Sequence, residues 1–588
     1  MSRLQALSIG LIALILVPGL LFYFDVVPKV TILLAATSIL LPVAARRGAL
    51  ARGALPTVGL LYAFSLVLSS TFSSHPALSW FGTNWRRYGA LTQIAVLLFA
   101  WSVTAVRRRR TILRAIAVAT AVASVYGIVQ FAGHDPLLPV SAYHVGEGVW
   151  TIVRPPSTFG YASYFATWLV MAVFLGIALA SAEESRFWRS AARVTCALAV
   201  AAMLLTGTRA AMIGLAVGGA VWLYRRGVRI RPRTLAVSGA LALAAAAFYW
   251  SPAGWQLRSR ARWFVEDPWG GSRLMLWRDS LRMGLSHPLL GFGPEVFGAE
   301  FPHYQSLELA RAYPDFAHES PHNILLDALV SQGFPGMILL AALLALGLRT
   351  RDPALAAALA AGIASQQFTV FTVPTALLTF TTIALAAPLP GMLPVAVSGR
   401  RAAFALSPIS LVLVYCALRL PVADAALARA QAALSTGDSR AADASYARYA
   451  RWKLPGATAA IWYSRTLSEL AAHTADPVRR ISILVRSGTA ALEATTSAED
   501  PFNAWYNAAQ LAAVRNDTAG TERALRAAIS ASPNWFKPHW TLARLLAIEG
   551  RRDEALGEAA LALRLDAGKD AEVRRTFAEL DGAHPLQR

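Results

Sequence analysis

Long apolar runs fill residues 1–421, and this feature constrains the fold of the chain more than any other. A helix needs about 20 apolar residues to cross a membrane, and by that length we place about thirteen spans. Their centres lie near Leu14, Ala36, Phe64, Leu98, Ala121, Met171, Leu198, Leu215, Ala244, Leu340, Ala361, Thr381 and Leu413. We interpret the first run, Leu4 to Phe24, as a membrane helix, because no small-residue cleavage site of a signal peptide follows it. The expected fold is an all-α, polytopic transmembrane bundle of about 12–13 spans.

Arginines cluster in every second loop between these spans. They are Arg46 and Arg47, Arg107 to Arg110, Arg186, Arg189 and Arg193, Arg225, Arg226, Arg229, Arg231 and Arg233, Arg349 and Arg351, and Arg400 and Arg401. The positive-inside rule makes these loops cytoplasmic. The N-terminus is then cytoplasmic and residues 422–588 are periplasmic, at the inner membrane of a bacterium. The same rule accounts for the net charge of +21 without nucleic acid as a partner.

The composition changes after residue 421, so we divide the chain into a transmembrane domain, 1–421, and a soluble helical domain, 422–588. Residues 502–567 repeat with a period of about 34 residues, in which Ala509 matches Ala543 and Ala528 matches Ala562. The period and the small residues resemble the tetratricopeptide repeat. Such arrays present a concave surface that binds partners. The simpler interpretation is a plain helical bundle.

The loops that face outward differ in kind from the basic ones. The longest, about residues 251–321, is far longer than an ordinary connection, which is typical of a functional loop. Its tryptophans are suited to the membrane–water interface and are Trp255, Trp263, Trp269 and Trp277. Within it, Ser272 to Gly284 has the spacing of an amphipathic helix lying on the outer surface. An earlier outward loop carries Trp85, Arg86 and Arg87.

Three arginines lie against the outer face: Arg154 before the sixth span, Arg209 in a very short turn, and Arg273 at the start of the amphipathic segment. Guanidinium groups match phosphate oxygens in geometry and charge. Together they predict a diphosphate ligand. The alternative for each is an arginine that reaches lipid headgroups or caps a helix.

The string His318-Glu319-Ser320-Pro321-His322-Asn323 contains a His-Glu-x-x-His pattern. A zinc protease needs both histidines on one continuous helix, which Pro321 would break. We expect Ser320 to cap the tenth span, with His322 and Asn323 in its first turn. A neutral His322 there would act as a general base. The alternative is an interfacial histidine bonded to backbone. Neither the outward carboxylates nor the two cysteines have a spacing that demands a metal, and none is expected.

Several motifs in this order resemble the O-antigen ligase and polymerase superfamily over about residues 80–390. They are Arg154 to Tyr161, Thr206 to Arg209, Arg273 to Trp277, His287 to Gly293, and His322-Asn323 followed by Gly333 to Gly336. The resemblance implies transfer of a glycan from undecaprenyl diphosphate to an acceptor hydroxyl at the periplasmic face, without a cofactor. It assigns His322, Arg209 and Arg273 to catalysis. Substrate binding falls to Arg154, Asn323, Trp277, Arg86 and Arg87.

The sequence leaves the acceptor open. A ligase would use a lipid A core sugar, a polymerase another lipid-linked glycan, and an oligosaccharyltransferase a protein hydroxyl. A transporter of lipid-linked glycans is a different interpretation, but the spans carry few interior charges and show no matching halves. A non-catalytic scaffold, with the helical tail as its working part, is the remaining alternative.

Overall fold

The computed structural model describes residues 1–46, 53–106, 108–145, 152–227, 271–387 and 399–582, with a few residues between 239 and 251. Helices account for 75% of the structure. The described residues contain one small sheet, in which β1 (His144–Val145) pairs antiparallel with β2 (Ile152–Val153). The all-α, polytopic fold is therefore confirmed.

The apolar part of the chain contributes helices α1 to α17, within the ranges that the structure describes. They are α1 (Ser2–Leu14), α2 (Val27–Arg46), α3 (Ala54–Thr71), α4 (Pro76–Phe81), α5 (Ala90–Thr104), α6 (Arg109–Phe131), α7 (Ala162–Ala182), α8 (Arg186–Thr206), α9 (Arg209–Arg226), α10 (Arg273–Ser286), α11 (Phe297–Glu300), α12 (Leu307–Ala312), α13 (Ile324–Leu348), α14 (Pro353–Ser365), α15 (Val373–Ala386), α16 (Gly399–Ala405) and α17 (Ser407–Ser435).

Seven of the described helices, α2, α3, α6, α7, α8, α13 and α17, are long and apolar enough to cross a membrane. Four more apolar helices, α1, α5, α14 and α15, are shorter. Every predicted span centre lies in one of these helices or in α9, except Ala244, whose surroundings lie mostly outside the described residues. Several other predictions also fall outside them: the interfacial positions of Trp255, Trp263 and Trp269, and the loop arginines Arg47, Arg107, Arg229, Arg231 and Arg233.

The first apolar run does not form the single long helix that we expected. Helix α1 ends at Leu14, and Ile15 is already extended. Pro18 lacks a backbone N–H and Gly19 adopts φ +78°, so the run turns instead of continuing. The segment 15–26 that follows brings Phe22 to the C-terminal helices.

Helix α7 lies at the centre of the bundle. Residues Trp168 to Met171 are fully buried, and α7 packs against α6, α8, α9 and α14. Close approach to its neighbours depends on small residues, since a side chain at Gly362 of α14 would collide with Met171. Mean hydropathy alone does not distinguish such a helix from one that faces lipid, but burial on all sides does.

The basic loops gather at one end of the bundle. Arg114 on α6 pairs with Glu183, which follows α7, at 2.7 Å. Arg225 at the end of α9 donates to the Thr350 carbonyl, just after α13, at 2.9 Å. Loops that the charge pattern assigned to one side of the membrane therefore do lie together.

Helix α13 is broken in its middle, and the break fits a glycine-rich loop. Gly333 has φ +67° and a non-helical ψ. The backbone carbonyls of Val330 and Ser331 accept hydrogen bonds from the N–H groups of Phe292 and Gly293, at 2.8 and 2.9 Å. A Cβ at Gly291 would lie 2.5 Å from the backbone of this segment. The glycines of His287 to Gly293 thus allow this loop to pack directly against the backbone of α13.

The C-terminal part is a succession of antiparallel helix pairs that begins with the end of α17. Its further helices are α18 (Ser439–Trp452), α19 (Ala460–Ala472), α20 (Pro477–Ala494), α21 (Pro501–Val514), α22 (Thr518–Ala531), α23 (Phe536–Ile548), α24 (Arg552–Asp566) and α25 (Ala571–Gly582). The small residues of the repeat, Ala509, Ala528, Ala543 and Ala562, are all buried between helices. The predicted boundary after residue 421 falls inside α17, at Pro421.

We call residues 422–582 the tail, and it rests on the membrane bundle along its length. Tyr23 N–H donates to Asp424 at 3.0 Å, and the Asn84 amide donates to the Thr458 carbonyl at 3.1 Å. Farther along, Lys537 pairs with Asp315 at 2.6 Å. Asn84 and Asp315 lie in loops that we predicted to face outward, so the tail and those loops share one side of the bundle.

Candidate active site

The start of α13 is capped differently from our expectation. The N-cap is Asn323, whose side-chain oxygen accepts from the N–H groups of Leu325 and Leu326 at 3.0 and 3.1 Å. Ser320 does not cap the helix, and His322 precedes the cap instead of lying in the first turn. Asn323 caps the helix because the carbonyl group of its short side chain reaches the second and third helical N–H groups. Its own NH2 group donates to the Gln367 carbonyl at 3.3 Å.

His322 occupies a constrained position before this cap. Its φ of +50° is rare for a residue with a side chain. Nδ1 lies 3.4 Å from the hydroxyl of the fully buried Ser320. Burial, and then the positive charge of Arg273, lower the pKa of His322 to about 4, with smaller contributions from His318 and Arg86. The imidazole is therefore neutral at pH 7. His318 and His322 share no helix, so a helical zinc motif is absent at this place.

Helix α10 holds the loop in front of α13. It buries Leu276 and Met283 but also the polar Asp279, while Leu281 is exposed, so its amphipathic character stays a prediction. Trp277 Nε1–H donates to the Pro321 carbonyl at 3.0 Å, next to His322. The Trp277 ring also packs on Phe368, with 5.7 Å between ring centroids. Trp277 therefore supports the backbone of His322; its indole N–H is directed to protein and not to a ligand.

A cavity of about 470 Å³ opens beside His322, and we call it the His322 cavity. Its charged lining residues are Asp25, Lys29, Arg86 and Glu319, and its aromatic ones include Trp85, Tyr161 and Tyr164. The Lys29 ammonium is buried, donates to the Thr158 carbonyl and lies 5.9 Å from the Phe159 ring centroid. The cavity thus combines cations, a neutral imidazole and apolar walls, as small-molecule sites commonly do.

Arg86 is the most firmly held of the predicted substrate-binding residues. It is buried, its Nε–H donates to Glu295 Oε1 at 2.5 Å, and its NH1 group lies 3.8 Å from Asp327. Glu295 is held in turn by the N–H of Thr83 at 3.1 Å. Such a network fixes the guanidinium in place at the wall of the cavity.

Arg154 and Arg273 border the cavity without being part of its lining. Arg154 lies over the Tyr161 ring, 5.5 Å from its centroid, and donates to the Tyr161 hydroxyl at 3.4 Å. Tyr161 itself lines the cavity. Arg273 begins α10 and contributes to the lowered pKa of His322. Both predicted residues are therefore neighbours of the His322 cavity, one through an aromatic ring and one through its charge.

Arg209 begins α9 after the left-handed Gly207, as the short turn predicted. Gly214 of α9 packs against Ala361 and Ser365 at the end of α14. The next residue, Gln366, accepts from Ile324 N–H at 3.2 Å. Arg209 therefore lies on the same side of the bundle as the start of α13, although it is not among the residues that line the cavity.

Arg87 points away from the cavity and toward the tail. It is buried, has φ +50° and donates to the Asn84 side chain. Asn84 donates in turn to Glu499 Oε2 of the tail at 2.9 Å. Arg87 is not among the residues that line the cavity, and its role in substrate binding stays a prediction.

Sequence reasoning missed Lys29, Asp25 and Glu319 as lining residues. Lys29 had a usable signal, because a lone charge within an apolar run near the outer face is costly unless it serves a function or is paired. Asp25 lies four residues earlier, in the same outward segment. Glu319 was noted as an outward carboxylate, but nothing in its spacing connected it to the cavity.

Fold and site together describe a polytopic helical membrane protein with a small cavity at one end of the bundle, where a histidine and cations meet below a helical tail. Residues 194–341 match the family model described as O-antigen ligase. This stretch contains Arg209, Arg273 and His322, and the match confirms the resemblance to the O-antigen ligase superfamily. The apolar helices support a multi-pass membrane protein, and the matched stretch is similar to the O-antigen ligase family, which supports a glycosyltransferase-like enzyme. No curated protein matches the chain.

Proposed function

We propose that the chain transfers a glycan from undecaprenyl diphosphate to an acceptor hydroxyl at the periplasmic face of the bacterial inner membrane. The observation that carries the proposal is the His322 cavity, in which His322, Arg86 and Lys29 meet at the start of α13. The cavity adjoins the region that matches the O-antigen ligase model.

In the proposed reaction the acceptor oxygen attacks the anomeric carbon of the glycan. The bond between that carbon and the diphosphate oxygen breaks, and undecaprenyl diphosphate leaves with the electron pair. Arg86 and Lys29 stabilise the negative charge on the leaving group, with Arg209 and Arg273 contributing from the periphery. Fixed cations in a partly dry cavity are effective because they need little reorganisation as charge develops.

His322 has two conceivable roles, to remove the proton of the acceptor hydroxyl or to orient that hydroxyl, and its low pKa favours the second. A group with a pKa of about 4 is a weak base, so it removes a proton from a hydroxyl only late in the reaction. It remains neutral, however, and accepts a hydrogen bond when Nδ1–H donates to Ser320. His322 therefore orients the acceptor hydroxyl, and the released proton ends on the diphosphate.

A glycan profile of a deletion strain tests the proposal. We expect lipid-linked glycan to accumulate and the surface glycan to be lost, and the wild-type chain to restore both. Arg209→Ala and His322→Ala should each fail to restore transfer although the protein inserts at normal abundance. Matched controls are Arg282→Ala, at an exposed arginine of α10, and His134→Ala, at an exposed histidine of an outward loop. Full restoration by both site variants would exclude the proposed catalysis.

The orientation of the chain has its own test. We expect a reporter that is active only in the periplasm to be active when fused after Arg588. A reporter active only in the cytoplasm, fused after Arg226 at the basic end of α9, should also be active. The opposite pattern would place the His322 cavity in the cytoplasm and contradict the proposed donor.

A further inference from the structure

A second cavity, of about 590 Å³, lies between the tail and the membrane bundle. We call it the tail cavity. The tail contributes residues of α19 and of the segment before α21, and the bundle contributes the loops around Trp85 and His318. Four residues, Trp85, Arg86, Ala317 and Glu319, line both the tail cavity and the His322 cavity. The two cavities therefore meet at one shared wall.

The two cavities differ in charge. The lining of the His322 cavity balances two cations against two carboxylates, which are Lys29, Arg86, Asp25 and Glu319. The tail cavity has the same Arg86 and adds Arg465, but its carboxylates are Glu295, Glu319, Glu469, Glu499 and Asp500. Burial raises the pKa of the Glu319, Glu499 and Asp500 carboxyls, which reduces this excess of negative charge. A phosphorylated ligand would be repelled here.

Aromatic rings accompany these carboxylates. Trp462 is half-buried, and Trp85, Tyr23 and Phe502 lie on other sides of the cavity. A sugar ring presents a face of C–H groups to an aromatic ring and a rim of hydroxyls to carboxylate acceptors. A lining of rings and carboxylates therefore suits an uncharged polyhydroxylated ligand better than a diphosphate or an apolar chain.

His318 provides an independent sign of a ligand. Its side chain is only 7% exposed, lines the tail cavity, and its Nε2 atom has no hydrogen-bond partner among the residues that the structure describes. The ring is held edge-on by Phe301 and Phe316, with centroids 5.7 and 5.0 Å away. A buried ring nitrogen without a partner is costly. A ligand hydroxyl in the cavity would satisfy it.

We propose that the tail cavity binds the acceptor, and that this acceptor is an uncharged glycan. The inference rests on the proposed function, since it supplies the second substrate of the same reaction. The acceptor hydroxyl then passes the shared wall at Glu319 to reach the anomeric carbon in the His322 cavity. The tail is in this way part of the acceptor site, and the chain selects its acceptor by the absence of charge as well as by shape.

Site-specific photo-crosslinking in the native strain tests this proposal, because it captures the acceptor whatever its sugar composition. The probe is p-benzoylphenylalanine at Thr466, a residue of α19 that lines the tail cavity. The matched control is the same probe at Thr489 of α20, which is exposed and likewise donates to the carbonyl four residues earlier. We expect an adduct that stains for carbohydrate after irradiation at position 466 and none at position 489.

Glu469→Gln in the Thr466 probe background should lower the carbohydrate adduct about tenfold, since it weakens one charge-assisted hydrogen bond. Glu579→Gln, at an exposed residue of α25, should leave the adduct unchanged. A protein adduct without carbohydrate at position 466, equal adducts at 466 and 489, or no adduct at 466 would each overturn the inference.

The deletion-strain profile separates this inference from the proposed function. If lipid-linked glycan accumulates in that strain but position 466 gives no carbohydrate adduct, the transferase assignment stands and the acceptor site lies elsewhere. If the donor does not accumulate, the proposed function itself fails.

Discussion

The rate of glycan transfer at low pH is the most direct test of the electrostatics around His322. An ordinary histidine has a pKa of about 6.5, so at pH 5.5 only about one tenth of it is neutral. The environment of His322 lowers its pKa to about 4. At pH 5.5 nearly all of it is then still neutral. Because the neutral ring is the form that accepts a hydrogen bond from the acceptor, the rate of transfer should be nearly constant between pH 7.5 and 5.5.

The measurement is the initial rate of transfer by the full-length chain in proteoliposomes, with lipid-linked donor isolated from the deletion strain. We expect less than a twofold change between pH 7.5 and 5.5, where an unperturbed histidine would cost about tenfold. His318 should not contribute to the pH dependence in this range, since burial lowers its pKa to about 4 as well.

Arg273→Met removes a charge that lowers the pKa of His322. The pH below which this variant loses activity should therefore be higher than in the wild-type protein. Arg282→Met, on the same helix, should leave the pH at which activity is lost unchanged. A tenfold loss at pH 5.5 in the wild-type protein, or identical profiles for the two variants, would refute the argument.

Three further substitutions test the supports of the site. Glu295→Gln leaves the buried charge of Arg86 poorly compensated and should destabilise the protein by about 3–5 kcal/mol, read as a lower unfolding temperature in detergent. Gly456→Ala adds a Cβ at φ +95° within 2.6 Å of the backbone of α4, so the tail should be cleaved faster in limited proteolysis while the bundle persists. Trp277→Phe removes the bond to the Pro321 carbonyl, worth about 1 kcal/mol, and should lower turnover with little loss of stability; equal loss of both would argue against a positioning role.

Much of the fold follows from sequence because it depends on local and periodic features. The apolar runs predicted the helices, and the alternating arginines predicted which loops lie together, as the contact between Arg114 and Glu183 shows. The buried repeat alanines, such as Ala543, followed from their spacing. The early end of α1 was not predicted, because a run of apolar residues outweighs one Pro18-Gly19 pair in any count of hydrophobicity.

The site was predicted less completely, since it is built from residues far apart in the chain. His322 and Arg86 were identified and do line one cavity. We assigned the cap of α13 to Ser320 because a serine before a proline is a common start of a helix. The cap is instead Asn323, whose side-chain oxygen accepts hydrogen bonds from the N–H groups of Leu325 and Leu326. Arg87 does not line the cavity beside its neighbour Arg86, because sequence does not show on which side of a loop each side chain emerges.

Arg86 and Glu319 lie in the wall that separates two cavities of different charge, and this position connects the parts of the proposed mechanism. A diphosphate beside Arg86 needs cations, whereas a glycan hydroxyl near Glu319 needs acceptors of hydrogen bonds. One open space lined by both would allow each substrate to bind in the place of the other. A shared wall keeps the two apart, and in the proposed reaction their reacting atoms meet on the side of this wall that belongs to the His322 cavity. Because the tail supplies the far side of this arrangement, releasing it through Gly456→Ala should impair acceptor use while donor binding to the bundle persists.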